Sequence, residues 1–296
     1  QAAWAPAWAA WAWPDWAPDE RQRKAAERQN RDQGISIDFI VGYLDRLLQK
    51  QFPREYSDQT TFVDLADLIW GPFGSRFTRP IDFLGHATMT NAADGLPGVC
   101  VREAIAQRYP GHVGKATTFI SWSWRYKVRD FIATLREYYI NNPMPREERF
   151  VWLCFFCNNQ REWLSGQPQD GVAAFGEMVR NIGKVVSVVD TYKAAETIYL
   201  RRLWPVYEIF VASQSNVDIS VALMTEAMGD LQQEPFGQVR DHLQVDVMNA
   251  TATYPGDEAM IKTAIQTSTG GAPRVNEVVR RLFAQMLFDL LMQGGR

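Results

Sequence analysis

The stretch TTFISWSWRYKVRDFIATLREYY, residues 117–139, joins two different hydrophobic patterns. Residues 117–122 are mainly β-branched or aromatic, which predicts a short strand. The apolar residues that follow recur at helical spacing and predict a helix with one buried face. They are Val128, Phe131, Ile132, Leu135 and Tyr138. A strand that leads into an amphipathic helix is the repeating unit of an α/β fold.

The same unit recurs further along the chain. Strands are predicted over residues 150–156, 184–190 and 216–223, with a short fifth strand in LQVDVM, residues 243–248. Helices are predicted over 171–183, 204–212 and 236–243, the first of them closed by Gly183. The alternation predicts right-handed crossovers and a parallel sheet. Because the strands are apolar throughout, both faces of this sheet are expected to be covered.

Helical patterns flank this alternating region on both sides. Residues 35–98 predict an extension with one helix over 37–48, a second in TTFVDLADLIW, and an irregular connection over 71–98. Residues 99–296 are predicted to form the α/β domain and its closing helices. The apolar stripe from Val275 to Leu291 is interpreted as core, with pairing to a partner helix as the alternative.

The first eighteen residues, QAAWAPAWAAWAWPDWAP, are rich in alanine, tryptophan and proline. A charged linker completes the segment 1–34. Tryptophans exposed to water would form an apolar patch that tends to associate with other surfaces, so the tail needs an apolar surface to pack against. This surface could belong to its own domain, to another protein or to a membrane interface. The tail has no basic face of the kind that would favour the membrane. The candidate partner-binding residues are Trp4, Trp8, Trp11, Trp13 and Trp16.

Charge and composition exclude several classes of protein. A net charge of −3 and a pI of about 5.7 give no general footprint for nucleic acid. No apolar run is long enough to predict a membrane span, and peripheral contact stays open. Three cysteines are too few for a disulfide framework, and the pair Cys154 and Cys157 is interpreted as structural. A reducing compartment, cytoplasm or organelle interior, is expected, and a sequence that starts at Gln1 is either processed or partial.

Common catalytic and cofactor motifs are absent from the sequence. There is no GxGxxG after a strand, no GxxxxGK[ST], no GxSxG and no HExxH. His86, His112 and His242 have no neighbours at ligand spacing, so no metal site is predicted. In open parallel sheets the ligand crevice lies at the carboxyl ends of the strands, where strand order reverses. Residues that follow the first and third strands are therefore the positions to inspect.

Those positions carry a family resemblance. FISWSW, residues 119–124, resembles the first signature box of the Toll/interleukin-1 receptor (TIR) superfamily. LWPVYEIFVA, residues 203–212, resembles its third-helix pattern, in which a glutamate follows a tryptophan by four residues. With VWLCFFCNNQ, residues 151–160, and the segments 245–265 and 270–279, the region 100–291 looks like a TIR-like domain of algal and protist proteins. The resemblance implies a flavodoxin-like fold with five parallel strands.

The resemblance also implies two functions. Many TIR domains are assembly modules that self-associate, and others hydrolyse NAD at the bond between nicotinamide and ribose. In the second case Glu208 would be the catalytic carboxylate, and NAD would be a substrate, since no resident cofactor is implied. The candidate NAD cleft would be lined by Ser121, Trp122, Ser123, Arg125 and Trp204.

Local sequence offers two interpretations of Glu208. Pro205 suits the first position of a helix, which would make Trp204 the cap and place Glu208 one turn inside. The helix dipole would then favour a carboxylate able to stabilise an oxocarbenium-like charge. Alternatively, Glu208 pairs with Arg201 or Arg202 and Trp204 belongs to the core. The leading hypothesis is a non-catalytic scaffold, with NAD glycohydrolase activity as the alternative.

Overall fold

A six-stranded sheet runs through the computed structural model in the order β2-β1-β4-β3-β5-β6. The strands are β1 (Gln33–Ser36), β2 (Val113–Lys115), β3 (Thr118–Ser121), β4 (Phe150–Trp152), β5 (Lys184–Val189) and β6 (Asp218–Leu223). Strands β4, β3, β5 and β6 are parallel, whereas β1 pairs antiparallel with both β2 and β4. The α/β prediction is confirmed, and the sheet is mixed.

The structure describes residues 32–70, 81–91, 95, 97–160, 171–215, 217–235, 238, 244–252 and 255–294. Side chains of 171–174 and 293–294 are outside this description. The five tail tryptophans and nearly all of the helix predicted over 236–243 therefore lie outside the described residues. Among the helices that are described, none has both the length and the hydropathy needed to cross a bilayer.

Within the described residues, ten helices besides short 3-10 turns connect and flank the strands. The first, α1, joins Ile37–Phe39, a π-helical turn Ile40–Leu44 and Asp45–Gln51. The others are α2 (Phe62–Trp70), α3 (Val101–Arg108), α4 (Val128–Asn141), α5 (Cys154–Cys157), α6 (Gly171–Ile182), α7 (Leu203–Gln214), α8 (Thr225–Gln233), α9 (Pro255–Thr267) and α10 (Gly271–Gly294). The helices predicted in 37–48, 60–70, 128–138, 171–183 and 204–212 are confirmed, as are the two closing helices predicted in 257–266 and 275–291.

Alternate strand residues separate the core onto the two faces of the sheet. Ile120 and Val186 pack with the buried residues of α4 on one face. Phe119 and Val185 face the other way and pack with α6 and α7. Helices thus cover both faces, as the continuous apolar strands predict. Within the parallel part, β3 lies between β4 and β5, so strand order reverses at β3, as in flavodoxin-like sheets.

The prediction of five parallel strands is wrong in two respects. Ile35 and Ser36 of the segment 35–98, predicted to be helical, enter the sheet as half of β1, and the end of the predicted linker supplies Gln33 and Gly34. The predicted fifth strand over 243–248 also fails to form in its described part, because residues 244–246 are irregular and 247–249 turn. Asp246 stabilises this turn: its carboxylate accepts hydrogen bonds from the Met248 backbone at 3.1 Å and the Asn249 side chain at 2.8 Å. Such local bonding competes with strand formation.

The predicted strand over 150–156 is too long. Strand β4 ends at Trp152, and Cys154–Cys157 form the one-turn helix α5. The backbone N–H groups of Phe156 and Cys157 both donate to the Leu153 carbonyl at 2.9 Å, which closes this turn. A continuous apolar run has no period that separates a buried strand from a buried helical turn.

Gly34 permits the close approach of β1 to β4. A Cβ atom at this position would lie 2.4 Å from the Val151 carbonyl oxygen and 3.1 Å from the Ala116 Cβ. The first contact is with backbone, which cannot move without separating the two strands. A residue without a side chain is therefore required at the point where the N-terminal segment joins the parallel sheet.

We expect Gly34→Ala to lower the free energy of unfolding by about 1–3 kcal/mol, the usual cost of overpacking. Urea unfolding at a constant m value measures it. Gly229→Ala is the matched control, because a Cβ at this position in α8 meets nothing within 4 Å. Since alanine is a better helix former than glycine, the free energy of unfolding of this control should rise by up to about 1 kcal/mol. Unchanged stability in Gly34→Ala would contradict the strand contact.

Candidate functional site

Two serines lie side by side at the point where strand order reverses. Strand β3 pairs with β5 so that Ser121 is opposite Ser187 and Phe119 is opposite Val185. Because side chains alternate along a strand, both serines point to the same face as Phe119. That face is covered by α6 and α7. Both serines are fully buried, so each needs a polar partner from the helix layer.

Glu208 of α7 and Tyr199 supply these partners. Ser121 Oγ lies 2.5 Å from Glu208 Oε2 and 2.6 Å from the Tyr199 hydroxyl. The Tyr199 hydroxyl donates to Ser187 Oγ at 3.0 Å. Glu208 is only 6% exposed, and Tyr199 is fully buried. We call these four residues, Glu208, Ser121, Tyr199 and Ser187, the polar chain.

Burial raises the pKa of Glu208 to about 8, although its contact with Ser121 acts in the opposite direction. The carboxyl group is therefore mainly uncharged at neutral pH. Ser121 Oγ donates to Glu208 Oε2, and either hydroxyl can be the donor between Ser121 and Tyr199. Burial is therefore the cause that keeps this carboxyl group uncharged.

The start of α7 differs from the prediction. Arg202, not Trp204, is the N-cap, and Pro205 is the third helical residue. A proline is tolerated there because the first backbone N–H groups of a helix have no intrahelical acceptor. Leu203 is held at the helix start by its backbone N–H, which donates to the Thr251 carbonyl at 3.0 Å. Glu208 consequently lies in the second turn.

Neither arginine before α7 forms the ion pair with Glu208 that the sequence offered as an alternative. Arg201 donates to the backbone carbonyls of Glu196 at 2.6 Å and Thr197 at 3.3 Å. Arg202 Nη1 lies 3.4 Å from Thr251 Oγ1. Glu208 is instead neutralised by protonation and held by a hydroxyl, which avoids the cost of burying a charge.

The other predicted cleft residues do not gather around Glu208. Trp122 is 5% exposed and packs edge-on against Phe62, with ring centroids 4.3 Å apart, in the core on the opposite face. Trp204 is half-buried, donates from Nε1 to Asp257 Oδ2 at 3.0 Å, and packs on Phe175. Of the predicted set, Ser121 is the residue that forms a hydrogen bond with Glu208 in the described part of the chain.

Ser123 and Arg125 mark the loop after β3. Ser123 is buried, and its Oγ accepts a hydrogen bond from the Arg125 backbone at 3.3 Å. The Arg125 side chain is exposed. Burial and the nearby charge of Arg125 both lower the pKa of Arg202, whereas Glu258 acts in the opposite direction. The surface beside the carboxyl ends of the strands thus carries two neighbouring cations.

Asp190 holds the loop that delivers Tyr199, and the sequence interpretation missed it. Its carboxylate accepts hydrogen bonds from the Thr197 hydroxyl at 2.5 Å and from the Ile198 backbone at 2.8 Å. Tyr126, in the loop after β3, donates to the same carboxylate at 3.2 Å. A serine inside the apolar run KVVSVV, ended by an aspartate, was the available signal for Ser187 and Asp190.

The cysteines are held as thiols. Burial raises the pKa of Cys100 and Cys154 to about 12 and that of Cys157 to about 11. Cys154 Sγ also accepts a hydrogen bond from Trp124 Nε1 at 3.4 Å. Thiols with raised pKa are poor nucleophiles and poor metal ligands at neutral pH. Within the described part of the chain, no three His, Cys, Asp or Glu side chains are placed to hold a metal ion.

Comparisons of this chain with protein-family models, with curated proteins and with solved structures find no match. The class is therefore defined by fold and site alone. It is a doubly wound α/β protein with an antiparallel N-terminal addition and a buried polar chain at the reversal of strand order.

We expect the stability difference between Glu208→Gln and wild type to change with pH. Glu208 ionises near its ordinary value of 4.5 in the unfolded chain but near 8 when folded, so wild type loses stability as pH rises between these values. The free energy of unfolding of the variant, relative to that of wild type, should therefore rise by up to about 1.4 kcal/mol per pH unit in this window. Urea unfolding at several pH values measures it.

Glu258→Gln is the control, for which the change of stability with pH should have the opposite sign. Its hydrogen bond with Lys262 lowers the pKa of this exposed carboxyl, so its stabilising effect is present above the unfolded pKa and is lost as pH falls through the folded pKa. A difference for Glu208→Gln that stays flat between pH 5 and pH 8 would mean that Glu208 is ionised in the folded protein.

Proposed function

We propose that this chain is a TIR-like interaction module that acts without catalysis and forms a subunit of a larger assembly. The observation that carries this proposal is the state of Glu208, which is buried, uncharged at neutral pH and already bonded to Ser121. Cleavage of NAD would need an ionised carboxylate that faces substrate. The chain uses this carboxyl group within its own core.

The TIR-like fold itself is part of the proposal. The order β4-β3-β5-β6 supports it, since this is the flavodoxin-like order of the first four parallel strands. A helix that begins with Leu203 and Trp204 and carries Glu208 also agrees with the family pattern. Against it stands the predicted fifth strand, whose described residues 244–248 do not pair with β6.

The tail supplies the second argument for an interaction module. Five of the 11 tryptophans lie within residues 1–18, and apolar aromatic side chains of this kind are preferred at protein interfaces. Many TIR domains self-associate, and the resemblance extends this expectation to the present chain. We therefore propose self-association through Trp4, Trp8, Trp11, Trp13 and Trp16 as the first form of assembly to test.

NAD glycohydrolase activity is the second candidate, and the position of Glu208 is the observation that favours it. Glu208 contacts Ser121 at the end of β3, where strand order reverses and where this fold class binds ligands. Arg125 and Arg202 carry positive charge beside the same strand ends, which suits a pyrophosphate. For catalysis the polar chain would have to open and Glu208 to ionise.

We expect the full chain to assemble with rising concentration and a variant with all five tail tryptophans changed to alanine to stay monomeric. Loss of the apolar anchors removes the area that drives association. Sedimentation velocity over a wide concentration range measures the apparent mass. A wild-type chain that stays monomeric at every concentration, with tail tryptophans shielded from acrylamide, would overturn the proposal, because its own domain would then cover the tail.

We expect no nicotinamide release when concentrated, assembled protein is incubated with NAD. Because the carboxyl group of Glu208 is uncharged and enclosed, Glu208→Gln should match wild type. Chromatography of the reaction mixture measures nicotinamide directly. Release by wild type that Glu208→Gln abolishes would favour the glycohydrolase, whereas equal release from both would point to a contaminant.

A further inference from the structure

Four rings far from the polar chain form a compact cluster that reaches the surface. Phe39, Tyr43, Tyr109 and His112 have ring centroids between 5.2 and 6.5 Å apart in every pairing. Phe39 is fully buried, Tyr109 and His112 are half-buried, and Tyr43 is 42% exposed. Buried rings therefore support an outermost ring that water reaches. We call Tyr43, Tyr109 and His112 the aromatic surface.

The backbone fixes this surface in place. Tyr43 belongs to the π-helical turn of α1, an uncommon conformation that is frequent at functional positions. Ser36 Oγ lies 2.7 Å from His112 Nδ1 and also accepts a hydrogen bond from the Phe39 backbone at 3.1 Å. One hydroxyl thus ties the start of the helix to the ring beneath Tyr43. A surface that is ordered in advance loses little entropy when a partner binds.

A cation borders the aromatic surface. The Arg46 guanidinium lies 5.8 Å from the centroid of the Tyr43 ring, and its Nη2 donates to the Gly42 carbonyl at 2.5 Å. It has no carboxylate partner within the part of the chain that the structure describes. The surface therefore suits a segment that offers aromatic rings together with an isolated negative charge.

The chain contains a segment with this chemistry outside the described residues. Residues 1–18 carry five tryptophans, and Asp15 is their one charged side chain, placed between Trp13 and Trp16. Indole rings pack favourably on tyrosine and histidine rings, and Asp15 would meet the charge of Arg46. The match in both aromatic and charged groups identifies the tail as the occupant.

The direction of β1 favours the tail of another molecule. The chain enters β1 at Gln33, which pairs with Lys115, and leaves it at Ser36, next to the aromatic surface. The residues that precede β1 in the sequence therefore join the end of this strand that lies away from the aromatic surface. A tail bound to a second copy needs no reversal of direction, and two copies can exchange tails reciprocally about a two-fold axis.

We propose that the aromatic surface binds the tryptophan-rich tail of a second copy of this chain. This inference rests on the proposed self-association and adds its receptor surface. In each contact, one copy donates its tail and the other copy provides the aromatic surface. A copy that lacks its surface still donates a tail, and a copy that lacks its tail still accepts one.

Mixing two defective full-length variants tests this assignment. The tail variant has Trp4, Trp8, Trp11, Trp13 and Trp16 changed to alanine, and the surface variant is Tyr43→Lys. We expect each alone to be monomeric and their equimolar mixture to form a dimer of twice the monomer mass in sedimentation velocity. Tyr43→Phe keeps the ring and should assemble like wild type.

Met292→Lys is the matched control, since Met292 is 61% exposed and belongs to α10, which packs on α7, α9 and β6 at the opposite edge of the sheet from β1 and β2. It should assemble like wild type, and melting curves check that both lysine variants fold. Assembly of Tyr43→Lys alone would overturn the aromatic surface while leaving self-association intact. Monomers in the equimolar mixture, with wild type assembled, would overturn exchange between copies. A monomeric wild type would refute self-association itself.

Discussion

The parallel register of β3 and β5 is the constraint from which the interior at the reversal of strand order follows. It places Ser121 opposite Ser187 and turns both hydroxyls toward the same helix layer. A shift of β3 by one residue would send Ser121 to the other face, against the core of α4, and separate it from Ser187. Given the observed register, the helix layer must provide hydrogen-bond partners, and Glu208 and Tyr199 do so. The buried position of Glu208 is thus a consequence of strand pairing.

The polar chain has a cost and a benefit for the fold. A glutamate that is protonated when folded and ionised when unfolded reduces stability at neutral pH. In return, the hydrogen bonds with Ser121 and Tyr199 tie α7 and the loop before it to the centre of the sheet. Asp190 reinforces this arrangement, because its carboxylate holds the same loop from the end of β5. A fully satisfied buried network of this kind favours one arrangement of helix and sheet over slipped alternatives.

Hydrophobic periodicity was sufficient to predict the α/β class and most helices. The stripe of Val128, Phe131 and Leu135 has one interpretation at helical spacing, and it is buried as predicted. Periodicity could not predict β1, because the four residues QGIS are too few to carry a pattern and join the sheet only through their pairing with β2 and β4. Nor could it end β4 before Cys154, since the run stays apolar throughout.

The residues of the candidate site were likewise predicted only in part. The resemblance selected Glu208 and Ser121, which the structure places in contact. It also selected Trp122, which directly follows β3 and enters the core on the opposite face, where it packs on Phe62. Tyr199 and Asp190 were missed because their roles depend on a loop that folds back over the strand ends. Such tertiary contacts leave no periodic signal in the sequence.

The central place of β4 between β1 and β3 has a consequence for how the molecule is made. A ribosome releases Gln33–Ser36 before either of its neighbours, β2 and β4, has been synthesised, and β4 follows β2. Strand β1 cannot form its hydrogen bonds with β4 until β4 has been synthesised. The nascent protein therefore carries an incomplete sheet edge for much of its synthesis. The sheet cannot form in chain order, because its oldest strand joins β4 only after β2 and β3 have been made.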